Sequence, residues 1–265
     1  MRRISNGFTL IEMIISIVLL AVVGLSLGAI IQQSMTMYAS TTDREELLLQ
    51  GRFVTERMHK EIRDAVPNSL QVNTATTCIE WLPVINTAVY EDLPLAPMHS
   101  DSLRLLPERT LNAGDHLVVM PISATELLAP PTSSDKNRVA EVAQNVPFMA
   151  GDGARMVNVT LTQETTFQAN SPAHRLYVYR TPLAYCLEGA QLYRYSDYPL
   201  SRTSLSPAAL VNGKRQLMAG NIKSADFDVL HPSLVRNGLV KLQFIFSDNN
   251  EEVRLDHDVL IFNTP

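Results

Sequence analysis

The sequence predicts an α+β protein. A long N-terminal helix, apolar enough over its first half to cross a membrane, packs on a mainly antiparallel β head. Three observations predict this. No proline occurs between Met1 and Val66. Residues 8–31 are apolar apart from Thr9, Glu12, Ser16, Ser26 and two glycines. Beyond Pro67 the apolar residues fall in short runs, several of them alternating, between clusters of Pro, Gly, Asn and Asp.

The apolar segment comes first. As a helix, residues 8–31 extend about 36 Å, against a hydrocarbon core of about 30 Å. Arg2 and Arg3 precede it and no comparable positive charge follows, so the N-terminus is expected in the cytoplasm and the C-terminal bulk outside. A cleaved secretory signal would need a small-x-small site after the apolar run, and "IIQQSMTMYAS" is a poor match. Glu12 stands alone inside the run. A carboxylate in lipid is expensive, so it needs either a partner or a position near the helix end from which to snorkel. "GLSLG" (24–28) matches a nucleophile-elbow pattern, but Ser26 would lie mid-membrane. It also matches the G-x-x-x-G spacing of closely packed helices.

The helix is expected to continue to about Val66. Leu47, Gly51, Val54, Met58, Ile62 and Ala65 recur at steps of three and four and form one stripe. Arg52, Glu56, Lys60 and Asp64 follow another face at i,i+4, with Arg57–Glu61 as a further pair. Pro67 ends the pattern.

In the head, strands are expected at about 79–85, 102–106, 116–122, 156–162, 175–180, 182–187, 191–195, 225–230, 238–246 and 253–262. "SDNNEE" and Glu188-Gly189 read as hairpin turns; 129–138, 150–155 and 196–207 read as loops. The expected organisation is a leader at 1–7, a membrane segment at 8–31, an amphipathic helix at 32–66 and one head at 67–265.

Composition narrows the chemistry. Net charge is -5 with no basic patch after the helix, so no nucleic-acid partner is expected. The six histidines lack metal-ligand spacing, and His257 between Asp256 and Asp258 lies on a strand that points neighbours to opposite faces. "DNNEE" (248–252) reads as a solvated hairpin tip before a calcium loop, and "GDG" (151–153) as a turn. Asn158-Val159-Thr160 matches a glycosylation sequon within a strand. No catalytic constellation, metal site or cofactor motif is present, and no enzyme is expected. The two cysteines, Cys78 and Cys186, are too few and too far apart for a paired zinc site. In a cytosolic protein they would be two buried thiols; in an exported head they would form a disulfide.

Gly7 followed by Phe8-Thr9-Leu10-Ile11-Glu12, behind a short basic leader, resembles the cleavage and methylation motif of the type IV prepilins. The resemblance implies that a prepilin peptidase cuts between Gly7 and Phe8 and methylates the new amino group of Phe8. It implies that Glu12 meets the N-terminal amine of a neighbouring subunit in the filament. It also implies a helix carrying a globular head, held in the inner membrane with the head in the periplasm and later displayed in a pilus at the cell surface. The partners would be other major and minor pilins, the prepilin peptidase and the inner-membrane pilus assembly platform. A periplasmic head favours a Cys78–Cys186 disulfide. The chain departs from many major pilins in having no proline in the membrane half of the helix. "RFVTERMHKEIRDAVPNSLQV" (52–72) and "CIEWLPV" (78–84) further resemble minor prepilins of MSHA (mannose-sensitive haemagglutinin) pilus biogenesis, the MshO-like and PilW-like class. Three functions follow as expectations: a minor pilin that primes or caps the pilus and so supports adhesion, a tip adhesin for a surface or glycan, or a pseudopilin of a type II secretion system.

Overall fold

The structure, a computed structural model, describes residues 8–129, 137–149, 155–202, 204–230, 238–249 and 251–261. Helix α1 spans Leu10–Arg63, 54 residues and about 80 Å long. No described residue before Leu47 is buried. From there the predicted stripe turns inward: Leu47, Val54, Met58, Ile62 and Ala65 are all buried, while Arg52, Glu56 and Lys60 face solvent. The helix stops earlier than Pro67 alone would require. Val84 N–H donates to Asp64 O at 2.9 Å and Val66 N–H to Leu82 O at 2.8 Å. Asp64 turns the chain out of the helix, and Ala65 and Val66 are already paired with residues 82–83, which suits the residue before a proline.

The first core gathers on this stripe. Strands β12 (Ile222–Leu230), β13 (Gly238–Asp248) and β14 (Glu251–Ile261) form an antiparallel sheet in that order. Alternation along β13 sends Val240, Leu242, Phe244 and Phe246 toward α1. A five-stranded antiparallel sheet completes this core, in the order β1 (Gln71–Val72), β2 (Cys78–Trp81), β9 (Leu183–Glu188), β10 (Gln191–Ser196), β11 (Lys214–Ala219). The predicted turn at Glu188-Gly189 is present: Glu188 pairs with Gln191, and Gly189 has φ +60, which favours glycine.

A second core lies elsewhere in the head. Strands β3 (Asn86–Tyr90), β4 (Ser100–Pro107), β5 (His116–Val118), β6 (Val139–Glu141), β7 (Val157–Thr165) and β8 (Arg175–Tyr179) form a six-stranded sheet ordered β6-β5-β8-β3-β4-β7. It curls until its ends meet. Val142 bridges Leu161, and Ala143 N–H donates to Thr160 O at 2.9 Å. The result is an antiparallel barrel filled by Leu103, Leu105, Leu117, Val159, Leu176 and Val178, among others. A short helix, α2 (Ala124–Leu128), is capped by Ser123.

Several strand expectations need correction. The run predicted at 79–85 ends at Trp81, because Pro83 and Val84 leave the sheet to pair with the helix end. The run at 116–122 ends at Val118; Met120 has φ +47 and Pro121 follows. Strands β1, β3, β6 and β11 were not predicted, being short or mixed in polarity. The expected loop at 196–207 is irregular between the end of β10 and Pro207, but it buries Tyr198. Leader residues 1–7, most of the loop at 129–138, the "GDG" turn, Asn250 and residue 262 lie outside the described residues.

Candidate functional site

The expected processing and assembly residues sit at the free end of α1. Phe8 is exposed, and Gly7 lies outside the described residues. Thr9 caps the helix, and Glu12 completes a reciprocal box. Thr9 N–H donates to Glu12 Oε2, and Glu12 N–H to Thr9 Oγ1, each at 3.4 Å. The T-x-x-E spacing ahead of an apolar run is the sequence signal for this box. It gives Glu12 a role within its own chain that the sequence reading had missed. Around it the helix surface is continuously apolar and uncovered; Leu10 and Leu25 are 80% and 78% exposed. Ser26 Oγ donates to Val22 O at 2.9 Å within regular helix, so "GLSLG" forms no nucleophile elbow. Added Cβ atoms at Gly24 and Gly28 would meet nothing within 4 Å. Among the described residues α1 is the one helix long and apolar enough to cross a membrane, and that property indicates membrane anchoring.

The helix joins the head through polar as well as apolar contacts. Glu61 accepts from Arg57 Nε at 2.7 Å, from Tyr185 O–H at 2.8 Å and from Arg194 Nε at 3.2 Å. Beside Glu61 the Arg57 guanidinium is held above its usual pKa, and burial pushes the Tyr185 phenol up. His59 Nδ1 lies 2.9 Å from His257 Nε2, linking α1 to β14. His257 therefore pairs with the helix and not with its flanking aspartates. No group of three or more potential metal ligands occurs among the described residues. At the "DNNEE" tip, Asn249 Nδ2 donates to Asp43 Oδ2 at 3.1 Å, tying the hairpin to the helix.

Cys78 and Cys186 face each other across β2 and β9 and are joined by a disulfide. Beside Cys78 in sequence, but two residues on, lies Glu80, which is 1% exposed. Tyr198 O–H donates to it at 2.7 Å and Gln71 Nε2 at 2.6 Å, and Arg202 forms a buried ion pair with it. Burial pushes the Glu80 carboxyl up, while Arg202, then Tyr198 and Gln71, pull it back. No local sequence pattern specifies the partners in this network. A Glu inside the apolar run "CIEWL" was its signal, because a buried carboxylate requires paired donors.

Residues 2–28 match the family model of the prokaryotic N-terminal methylation motif. No curated protein and no solved structure matches the chain. The motif, together with a long apolar N-terminal helix packed on an antiparallel β head, supports a type IV pilin-like or pseudopilin protein. That class is structural, processed by a prepilin peptidase and assembled with other pilins.

Proposed function

We propose that the chain is a minor pilin of an MSHA-type type IV pilus, which primes or caps assembly and thereby supports adhesion. The match of residues 2–28 to the methylation motif carries this reading. The uncovered apolar half of α1, ahead of a half that packs on the head, supports it. In this reading the peptidase releases residues 1–7 and methylates Phe8, residues 8–31 hold the protein in the inner membrane, and the head lies in the periplasm before assembly. Glu12 then leaves its own capping box to meet the amine of a neighbouring subunit at the assembly platform. The MSHA assignment rests on the resemblance of residues 52–72 and 78–84.

Mass spectrometry of membrane-extracted protein tests the processing step. The expected N-terminus is N-methylated Phe8. An intact Met1, or a cut near Ser40, would remove the basis of the pilin reading. Presence in sheared, purified pili separates a pilus subunit from a secretion pseudopilin.

A further inference from the structure

The chain leaves the helix-bound sheet once, after β2, and returns once, at β9. The described residues between the two strands form the barrel and its connections. The two crossing points are adjacent. Trp81 pairs with Leu183, and Cys78 pairs with Cys186 three residues further from the barrel. The disulfide, with a sequence separation of 108 residues, therefore closes the ring in which the barrel hangs. The barrel fills its own core and closes its own sheet edges. No barrel strand pairs with a strand of the other two sheets among the described residues.

The seam between the two units is a separate apolar cluster smaller than either core. Its apolar centre is Val66, Leu82, Val118, Leu127, Val139 and Tyr179. Clefts of about 550 and 500 Å³ open along it. One lies between Gln71–Thr74 and the end of α2; the other lies between the end of α1 and the start of β3.

We infer that the head is two functional modules: an assembly module, made of α1 and the sheets packed on it, and an inserted barrel that folds as its own unit and is not required for assembly. The barrel is the part of the head free to act on something other than a neighbouring pilin. A neck of two disulfide-linked strands suits this division. It ties the insert to the sheet at one place. The assembly half of the inference rests on the pilin reading above.

Hydrogen exchange on the intact, detergent-extracted protein tests the modular half without reference to pili. Leu176→Ala, in the barrel core, is expected to speed exchange of amides in β3, β4, β5 and β8 by at least about thirty-fold. Protection in β9, β13 and β14 is expected to stay unchanged. A parallel loss of protection in β13 and β14 would show one cooperative unit and overturn the inference. If Leu176→Ala unfolds the barrel altogether, β13 and β14 must still be protected and the disulfide must still form; loss of both overturns it equally. For assembly, residues 82–182 are replaced by Asn-Gly, so that Trp81 and Leu183 join through a tight hairpin. This variant is expected in sheared pili at the level of the intact chain. Its absence there, with the intact chain present, overturns the division of labour. Absence of the intact chain as well would instead refute the pilin reading and leave the exchange result to decide modularity.

Discussion

Glu12 has two candidate partners, and they call for different chemistry. In the isolated chain its carboxylate returns to Thr9 as the fourth member of a capping box. Gln serves that position as well as Glu, because the box needs an acceptor and not a charge. Pairing with a neighbour's amine needs the charge, since an ammonium left unmatched in a low-dielectric bundle is costly. Glu12→Gln is therefore expected to preserve membrane insertion and helix content but to reduce pilus number and co-purification of partner pilins. Normal piliation in that strain would assign Glu12 to capping alone. Gly51 gives a packing test at the same scale. An added Cβ there would lie 2.0 Å from Leu255 Cδ1 and 3.1 Å from Phe246 Cε2. Ala gains about 1 kcal/mol over Gly in helix propensity, but overpacking a filled core costs about 1–3 kcal/mol. Gly51→Ala is expected to lower stability by about 1 kcal/mol in urea unfolding of the extracted protein. A stabilised variant would mean that Leu255 swings aside freely.

At the scale of elements, the segment after β10 shows how a predicted loop becomes part of the core. Tyr198 and Arg202 converge on Glu80, whose carboxylate would otherwise be stranded in β2 between buried neighbours. Removing one partner of a buried ion pair costs about 3–5 kcal/mol, because the remaining charge cannot reach water. Arg202→Met is expected to destabilise the head by about that amount and to expose residues 197–205 to protease. Glu80→Gln in the same chain is expected to restore part of the loss. A loss of less than about 1 kcal/mol for Arg202→Met would show that Glu80 is protonated or wet. The segment's Ser and Pro content predicts a loop. Nothing local in it shows that Tyr198 lies against a residue 118 positions away.

At the scale of the whole molecule, two cores mean that a perturbation of one need not reach the other. His116 lies on β5 in the barrel, its ring stacked on Tyr179, with Asp115, Arg180 and Glu141 nearby. Burial lowers its pKa from the ordinary 6.5, against smaller opposing effects of Glu141 and Asp115. The unfolded chain therefore takes up the proton at higher pH than the folded one. Stability is unaffected above about pH 6.5, falls as pH drops below it, and is fully reduced once pH passes the folded pKa. The barrel is expected to unfold at lower denaturant concentration at about pH 5 than at about pH 7.5, with β13 and β14 unaffected. His116→Phe is expected to remove the pH-dependence assigned to this residue. An unchanged barrel midpoint in the parent chain would show that His116 is not buried as described.

Features that depend on neighbours along the chain were readable from the residues alone. The apolar run and the three-four stripe specify α1 and its buried face, because helix contacts recur within four residues. The alternation in β13 and the turn at Glu188-Gly189 specify hairpins for the same reason. The methylation motif was legible because it is contiguous. What joins distant segments is set by the folded chain: the barrel inserted between β2 and β9, its closure at Val142 and Leu161, the partners of Glu80 and the pairing of His59 with His257. Short strands such as β3 and β6 carry too little periodicity to declare a partner. Their pairing is settled by which distant strand fills the same core at the lowest cost in loop closure, and that is a property of the whole chain.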